Sequence, residues 1–438
     1  MFCLTTINKL FNKGSLRLGY YLKAGKKIST PCYFLISNFG GGGTNVSRFV
    51  TYMHIFEKGE SQLLLNYYYL NTDFEKTPGF DIKTLSTLKQ NDDIVDFLKE
   101  VRKEFIRKKK VIPEYSLNQT IWNPEIILDS GSGNIFRDLI KHGKLSTKTF
   151  NEAYTAAIKG YIAFGLKHRF DILIAMDIAK KYTFKGGEHN DTAYHSNLDV
   201  FRNSKNNIEL LKITLENLPN QNQLMMFAPI HGKTPKEYEE YLELILKVER
   251  EVGKKFAGFA IGGLDRNRAH SYEVCALIRD RLSNVKDDRP IHVLGVGSLQ
   301  NLIPMCLLGI DSFDCHSPWR RASDPGGKFV IPLVNSRGKV ITKKADFWKY
   351  VPIAKYKEED FNCDCEVCKK YTLSELRSMY LGDGEHKYFA EILFFKHNIS
   401  QQEFVLKGIR EGGVKDLITN MPESTYKRRL EGFIHTLG

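Results

Sequence analysis

Apolar runs of strand length recur along the chain, and most end in Gly, Asp or His. They are PCYFLISNFG (31–40), PEIILDSG (124–131), FDILIAMD (170–177), QLMMFAPIHG (223–232), FAGFAIGG (256–263), PIHVLGVG (290–297) and GIDSFDCH (309–316). None alternates apolar with polar, which marks strands buried on both faces, as in a parallel sheet. Between them the apolar spacing turns helical, as in FNEAYTAAIKGYIAFGLKH (150–168), TPKEYEEYLELILKVEREVGKK (234–255), SYEVCALIRDRLS (271–283) and SLQNLIPMCLLG (298–309). Thr234, Pro235 and Glu237 predict a helix start: a hydroxyl cap, Pro at the first helical position and Glu at the third. Strand-then-helix alternation indicates α/β, and a polar residue at the C-terminal end of each strand is the pattern of barrel enzymes. The expected fold is a (β/α)8 TIM barrel with insertions, with an open doubly wound sheet as the alternative.

The rhythm fails in two places. Residues 46–120 read as inserted helices and loops. From about 345 the chain becomes Cys-rich and then helical, so the expected organisation is a barrel over 1–345 and a zinc-binding subdomain with C-terminal helices over 346–438. There is no internal repeat or low-complexity tract. The glycines of FGGGGTN (39–45) lack the Gly-Lys-Ser/Thr ending of a P-loop and read as a βα loop.

Composition adds to this picture. A chain of 438 residues, 42% hydrophobic and 12% aromatic, can bury a large core. No run approaches the ~18 consecutive apolar residues of a membrane span. The opening MFCLTTINKLFNKGS lacks the apolar core of a signal peptide, so the expected location is cytoplasmic. The net charge is +13, with basic clusters at Lys99, Arg102, Lys103, Arg107, Lys108, Lys109 and Lys110, and at Lys427, Arg428 and Arg429. Such clusters neutralise phosphates; in a chain rich in Lys and Asn they also serve as plain solvated surface. Cys363, Cys365 and Cys368 crowd together, which in a reducing compartment points to metal rather than a disulfide. With one His they would complete a closed, structural four-ligand site.

The strand-end residues Asp129, Asp177, His231 and Asp314 would share one mouth if the barrel forms. Several carboxylates there suit glycosyl chemistry, one attacking an anomeric carbon while another exchanges protons. Taken singly, each Asp has an ordinary alternative as the cap of the next helix.

These segments resemble a known family. GVG (295–297) followed by GIDSFDCHSPWR (309–320), DSG (129–131), MD (176–177), AIGGL (260–264) and CDCEVC (363–368) with a downstream His-Asn are similar, in order, to motifs of the tRNA-guanine transglycosylase (queuine tRNA-ribosyltransferase) superfamily. The likeness runs from about 125 to 400 and covers the first 120 residues poorly. It implies a pentosyltransferase in which Asp314 attacks C1′ of the target nucleoside and Asp129 is the general acid/base. Asp177 would bind the base edge, with Ser130, His231, Gly263, Leu264 and Leu294 lining the pocket and Asp311 a supporting carboxylate. It implies structural zinc on Cys363, Cys365, Cys368 and His397, with His386 as the other candidate fourth ligand. The target must leave its stack to reach a barrel mouth.

The departures fall where base and polymer are read. The family's stacking aromatic after Asp-Ser-Gly is missing unless Phe136 replaces it, its Gln-Gly is His231-Gly232, and its Pro-Thr-Arg is Pro318-Trp319-Arg320, followed by Arg321. Trp319 could stack on an unpaired nucleotide, or pack as an ordinary side chain, and Arg320 and Arg321 could hold phosphates. These changes favour the DNA-modifying branch, which exchanges guanine for a 7-deazaguanine base such as preQ0. The alternatives are a tRNA enzyme of the queuosine or archaeosine type, a non-catalytic nucleic-acid-binding partner subunit, and an unrelated barrel hydrolase. The expected partners are DNA or tRNA and the free 7-deazaguanine base, with no membrane; a homo-oligomer and helper proteins stay open.

Overall fold

The computed structural model describes residues 1–9, 15–23, 26–37, 62–71, 93–98, 125–141, 149–178, 204–220, 223–264, 268–382 and 384–438. The basic cluster at 99–110 and the glycines at 40–43 lie outside them.

Three antiparallel strands open the chain: β1 (Phe2–Lys9), β2 (Ser15–Lys23) and β3 (Lys26–Thr30). Eight strands then close a barrel in chain order: β4 (Cys32–Ser37), β5 (Gln62–Asn66), β6 (Ile126–Asp129), β7 (Ile172–Ile174), β8 (Met225–Ile230), β9 (Gly258–Ile261), β10 (Ile291–Val293) and β11 (Ser312–Cys315). Every neighbouring pair is parallel, and β11 pairs with β4 to seal the ring. A closed parallel ring with helices outside is the (β/α)8 architecture expected from the alternation, and it excludes the open sheet.

The unbroken apolar runs follow from two buried faces. Phe34, Ile36, Leu64, Ile127, Ile172, Ile174, Met225 and Phe227 fill the interior in one cluster. Their immediate neighbours Leu35, Leu63, Leu65, Ile126, Leu128, Leu173 and Met226 belong to a second cluster shared with the helices. Side chains alternate across a strand, so consecutive residues must be apolar for different reasons.

One expectation is corrected here. The segment 46–120, expected to be inserted helices and loops, contains the barrel strand β5. Its run QLLLN is built on leucine, a weak strand former, and passes without Gly or Pro into the helix Tyr67–Asn71, so neither propensity nor punctuation marks it.

The helix Pro235–Val252 begins as its sequence predicts, Thr234 Oγ1 accepting from the Glu237 N–H at 3.3 Å. The Glu237 carboxylate caps the Lys233 N–H instead of closing back on Thr234. The N-terminal sheet lies against the barrel's N-terminal end. Its Tyr21 and Ile28 join the interior cluster, and Arg17 reaches Asp311 just before β11.

Beyond β11, β12 (Lys328–Val330) and β13 (Tyr350–Pro352) form a small antiparallel pair. The long helix Gly384–Arg410 then packs on β4 and on the helices Leu299–Leu307 and Ser317–Ser323. Its Asn398 donates to the Pro318 carbonyl, Gln402 to the Gly297 carbonyl at 2.6 Å, and Arg410 to the Pro31 carbonyl at 2.8 Å. This helix occupies the place of an eighth outer helix between β11 and β4. One hydrophobic cluster therefore contains residues from both sides of position 345.

Candidate active site

The C-terminal ends of the strands gather the polar residues. Asn66 ends β5, Asp129 ends β6, Asp177 follows β7, His231 follows β8, Gly263 and Leu264 follow β9, Leu294 and Gly295 follow β10, and Asp314 lies in β11. Asp129 accepts from Asn66 Nδ2 at 2.7 Å. Asp177 accepts from Ser132 Oγ at 3.1 Å and stands 3.3 Å from His231 Nε2. Leu294 packs on the upper layer of the interior cluster. Ser130 is buried, Gly263 exposed and Leu264 half-buried.

The Asp-Ser-Gly turn needs its glycine. Gly131 has φ +61, and a Cβ there would lie 2.5 Å from Asn66 Oδ1. Only glycine gives both the left-handed backbone and the space beside the amide that holds Asp129.

The electrostatics of the mouth favour proton exchange. Burial, then the neighbouring Asp177 and Asp314 carboxylates, push the Asp129 carboxyl up to about 6, against hydrogen bonds from Asn66 and Gly131 that lower it. Burial pushes Asp177 up to about 6 as well, opposed by Ser132. Carboxyls poised near neutrality can both give and take a proton.

Asp314 is buried at the bottom of this mouth with 2% of its surface exposed. The Gly295 N–H points at both carboxylate oxygens, at 3.2 Å from Oδ1 and 3.1 Å from Oδ2. Gly295 turns with φ +76, which aims its N–H inward. Below, His292 Nε2 meets Oδ1 at 2.9 Å.

Asn66, Ser132 and His292 are site residues beyond those expected from the sequence. Asn66 carried the same signal as Asp129, a polar end to an apolar run, but its strand went unrecognised. His292 lies two residues before Leu294, and a period of two places both on the inner face.

Two expectations are corrected. Phe136 does not replace the stacking aromatic: it is fully buried in the helix Ser132–Lys141 and stacks on Tyr154 with ring centroids 6.0 Å apart. Trp319 offers no open face to a nucleotide. It is 6% exposed on the inner side of the helix Ser317–Ser323, where its apolar surface joins the core. Arg320 and Arg321 on the same helix are exposed, Arg321 pairing with Asp324 at 3.1 Å. Of the second basic cluster, Lys427 is largely buried beside Glu423, while Arg428 and Arg429 are exposed.

The cysteines build a separate centre. One ligand atom from each of Cys363, Cys365, Cys368 and His397 falls within 4.8 Å of all the others. His397 turns Nδ1 to the Cys365 and Cys368 sulfurs, at 3.5 and 3.3 Å, while Nε2 meets the Val330 carbonyl at 2.8 Å. Its ring stacks on Phe329 with centroids 3.6 Å apart. A carbonyl on one ring nitrogen fixes the tautomer that leaves the other free as a ligand. The structure thus assembles His397 with the cysteines, whereas His386, on the same helix, is exposed. The donor set and its orientation fit a closed structural metal site. Among the described residues, no helix is long and apolar enough to cross a membrane.

The structure is a closed parallel barrel with acidic residues at its C-terminal mouth, followed in the chain by a Cys3His cluster. The family model for queuine tRNA-ribosyltransferase matches residues 108–429, most of the chain, and the protein belongs to that family. A queuine tRNA-ribosyltransferase of Dictyoglomus turgidum is 29% identical over 243 residues, 51% of this chain and 57% of that protein. The one of Caldanaerobacter subterraneus subsp. tengcongensis is 29% identical over 212 residues, 48% and 50% of the two chains. That of Streptococcus agalactiae serotype Ia is 28% identical over 178 residues, 40% and 43%. The chain spans about half the length of the curated relatives it matches.

Proposed function

We propose that the protein is a nucleic-acid guanine transglycosylase that exchanges guanine for a 7-deazaguanine base through a covalent Asp314–glycosyl intermediate. The observation that carries this reading is the environment of Asp314: a buried carboxylate at the barrel mouth, oriented by a backbone N–H, beside two carboxyls raised to about 6. Asp314 would attack C1′, forming the ester as the C1′–N9 bond breaks, and Asp129 would deliver a proton to the departing base. The entering base would then give its N9 proton to Asp129 and displace Asp314 from C1′. Two inversions retain the sugar's configuration. Asp177 and His231 would read the base edge, with Ser130, Gly263, Leu264 and Leu294 around it. Arg320 and Arg321 would meet backbone phosphates.

Transfer RNA is the polymer supported best, by the family and by the names of the relatives. DNA is the second reading, favoured by the departures at His231 and at the aromatic position after Gly131. Purified protein incubated with radiolabelled guanine or preQ0 and with either tRNA or DNA separates them. Label entering tRNA alone sinks the DNA reading; label entering neither polymer sinks the transglycosylase. Cys363, Cys365, Cys368 and His397 would hold zinc, which would tie the helix Gly384–Arg410 to the segment after β13. Elemental analysis should find zinc stoichiometric with the chain, and chelation should lower the melting temperature without touching the carboxylates. A protein purified free of metal with an unchanged melting temperature speaks against the zinc.

A further inference from the structure

His292 is fully buried inside the barrel, as are Ser312 and Tyr21. Its Nδ1 lies 2.9 Å from Ser312 Oγ, and Ser312 Oγ lies 3.2 Å from Tyr21 Oη. Its Nε2 lies 2.9 Å from Asp314 Oδ1. The edge of the ring meets Phe34, with centroids 5.7 Å apart at 84°. An unbroken chain of hydrogen bonds thus runs from the N-terminal sheet, through the barrel's centre, to the carboxylate at its mouth.

The chemistry at one end fixes the direction of every bond. An attacking carboxylate is ionised and only accepts, so His292 Nε2 must carry the proton. In a neutral imidazole Nδ1 is then the acceptor, and the Ser312 hydroxyl donates to it. That leaves the Ser312 oxygen to accept from Tyr21. Burial pushes the Tyr21 phenol well up, so it keeps its proton and donates. The two oxygens of Asp314 are left unequal. Oδ1 accepts from His292 and from Gly295, while among the described residues Oδ2 accepts from Gly295 alone.

We infer that Tyr21, Ser312 and His292 form a positioning relay that locks the His292 tautomer, pins Asp314 Oδ1 and presents Oδ2 as the oxygen that attacks C1′. This rests on the transglycosylase reading for the attack, but the relay itself is a statement about protonation. It makes the N-terminal sheet a working part of the active site. Tyr21 touches nothing that reacts and acts through two intermediaries; His292 orients the nucleophile without meeting the substrate.

The test has two arms. In the first, base exchange is followed in His292→Leu, His292→Gln, Ser312→Ala and Tyr21→Phe. A glutamine amide reaches the place of Nε2 and can still donate to Oδ1. His292→Leu should lower kcat by roughly tenfold or more with KM little changed, as expected for the loss of a donor that orients reacting charge. His292→Gln should recover most of that loss, and Ser312→Ala and Tyr21→Phe should give smaller losses in that order. Wild-type kcat in His292→Leu overturns the relay, as does an equal loss in Leu and Gln variants whose folding is intact. The second arm needs no turnover. The 15N spectrum of the histidine-labelled wild-type protein, with His292 assigned by its absence in His292→Gln, should show a protonated Nε2 and an unprotonated Nδ1. The opposite tautomer, or a doubly protonated ring, overturns the relay whatever the activity. If the wild-type protein exchanges no base, the functional reading falls, and the tautomer alone judges the relay.

Discussion

Asp311 and Asp314 lie three residues apart, just before and within β11, and both are buried, yet their surroundings differ in kind. Asp311 accepts from Arg17 Nε at 3.3 Å, from Arg279 Nη2 at 2.9 Å and from the Ile291 N–H at 2.8 Å. Two guanidiniums meet one carboxylate, so its charge is balanced and both oxygens are occupied. Burial, helped by the neighbouring Arg17 charge, lowers Arg279 to about 10, while the Asp311 charge acts to hold its proton. Among the described residues Asp314 faces no guanidinium; the His292 imidazole and a shared backbone N–H are its partners. The difference lies in how much acceptor capacity remains. One carboxylate is used up in holding β11, β10 and the N-terminal sheet together, while the other keeps an oxygen whose one partner among the described residues is a shared N–H.

Substitutions on the two sides should separate these roles. The largest effect is expected for Asp314→Asn, which keeps size and most hydrogen bonding but removes the nucleophile. Exchange should fall by about a thousandfold or more, with the melting curve unchanged; exchange at the wild-type rate would refute the mechanism. Asp311→Asn should do the reverse. Leaving Arg279 buried without its counter-charge, and Arg17 with Asp288 alone, should cost about 3–5 kcal/mol in denaturant unfolding, while kcat per folded molecule stays within a few-fold. If Asp311→Asn is as stable as the parent protein, the contrast between the two carboxylates collapses.

Asp129 sharpens the comparison as an intermediate case, with one amide partner and neighbours of its own sign. Its carboxyl is raised from 3.8 to about 6 in the folded protein. The folded chain therefore binds more protons than the unfolded one between about pH 4 and 6, and stability contributed by this group is lost as pH rises through that window. Asp129→Asn should consequently be more stable than the parent at pH 7.5, by ~1–3 kcal/mol, with the gain vanishing near pH 4. A gain independent of pH would show that charge is not its source. The smallest effects belong to the exposed rim. Arg320→Ala and Arg321→Ala should each reduce the salt dependence of nucleic-acid binding by about one counter-ion, leaving kcat at saturation alone; an unchanged salt slope would remove that helix from the contact surface.

The barrel was legible because seven of its strands are unbroken apolar runs closed by small or polar residues. The architecture forces that pattern, since each strand has an interior and a helix-facing side. β5 was not legible because its three leucines and Asn66 pass into a tyrosine cluster with no Gly or Pro to mark the end. Asn66 was hidden with it. Asp129, Asp177, His231 and Asp314 stood out by ending such runs, and the chain brings them to one end of the barrel. Trp319 and Phe136 misled for the opposite reason. Each is an aromatic beside a site residue, and nothing in local spacing says which face of a short helix turns to the core. His292 required the register of β10, since only the inner side of that strand reaches Asp314.

The Arg410 contact with Pro31 bears on how the chain acquires its shape. These residues are 379 positions apart, and the helix that carries Arg410 packs on β4, the first strand of the ring. The barrel therefore has a high contact order: its earliest strand waits for the helix Gly384–Arg410 before its outer face is covered. Until then the apolar edge between β11 and β4 stays open to solvent. Translation from the N-terminus should accordingly give a nascent chain that remains sensitive to protease and dependent on chaperones until residues near 410 have left the ribosome.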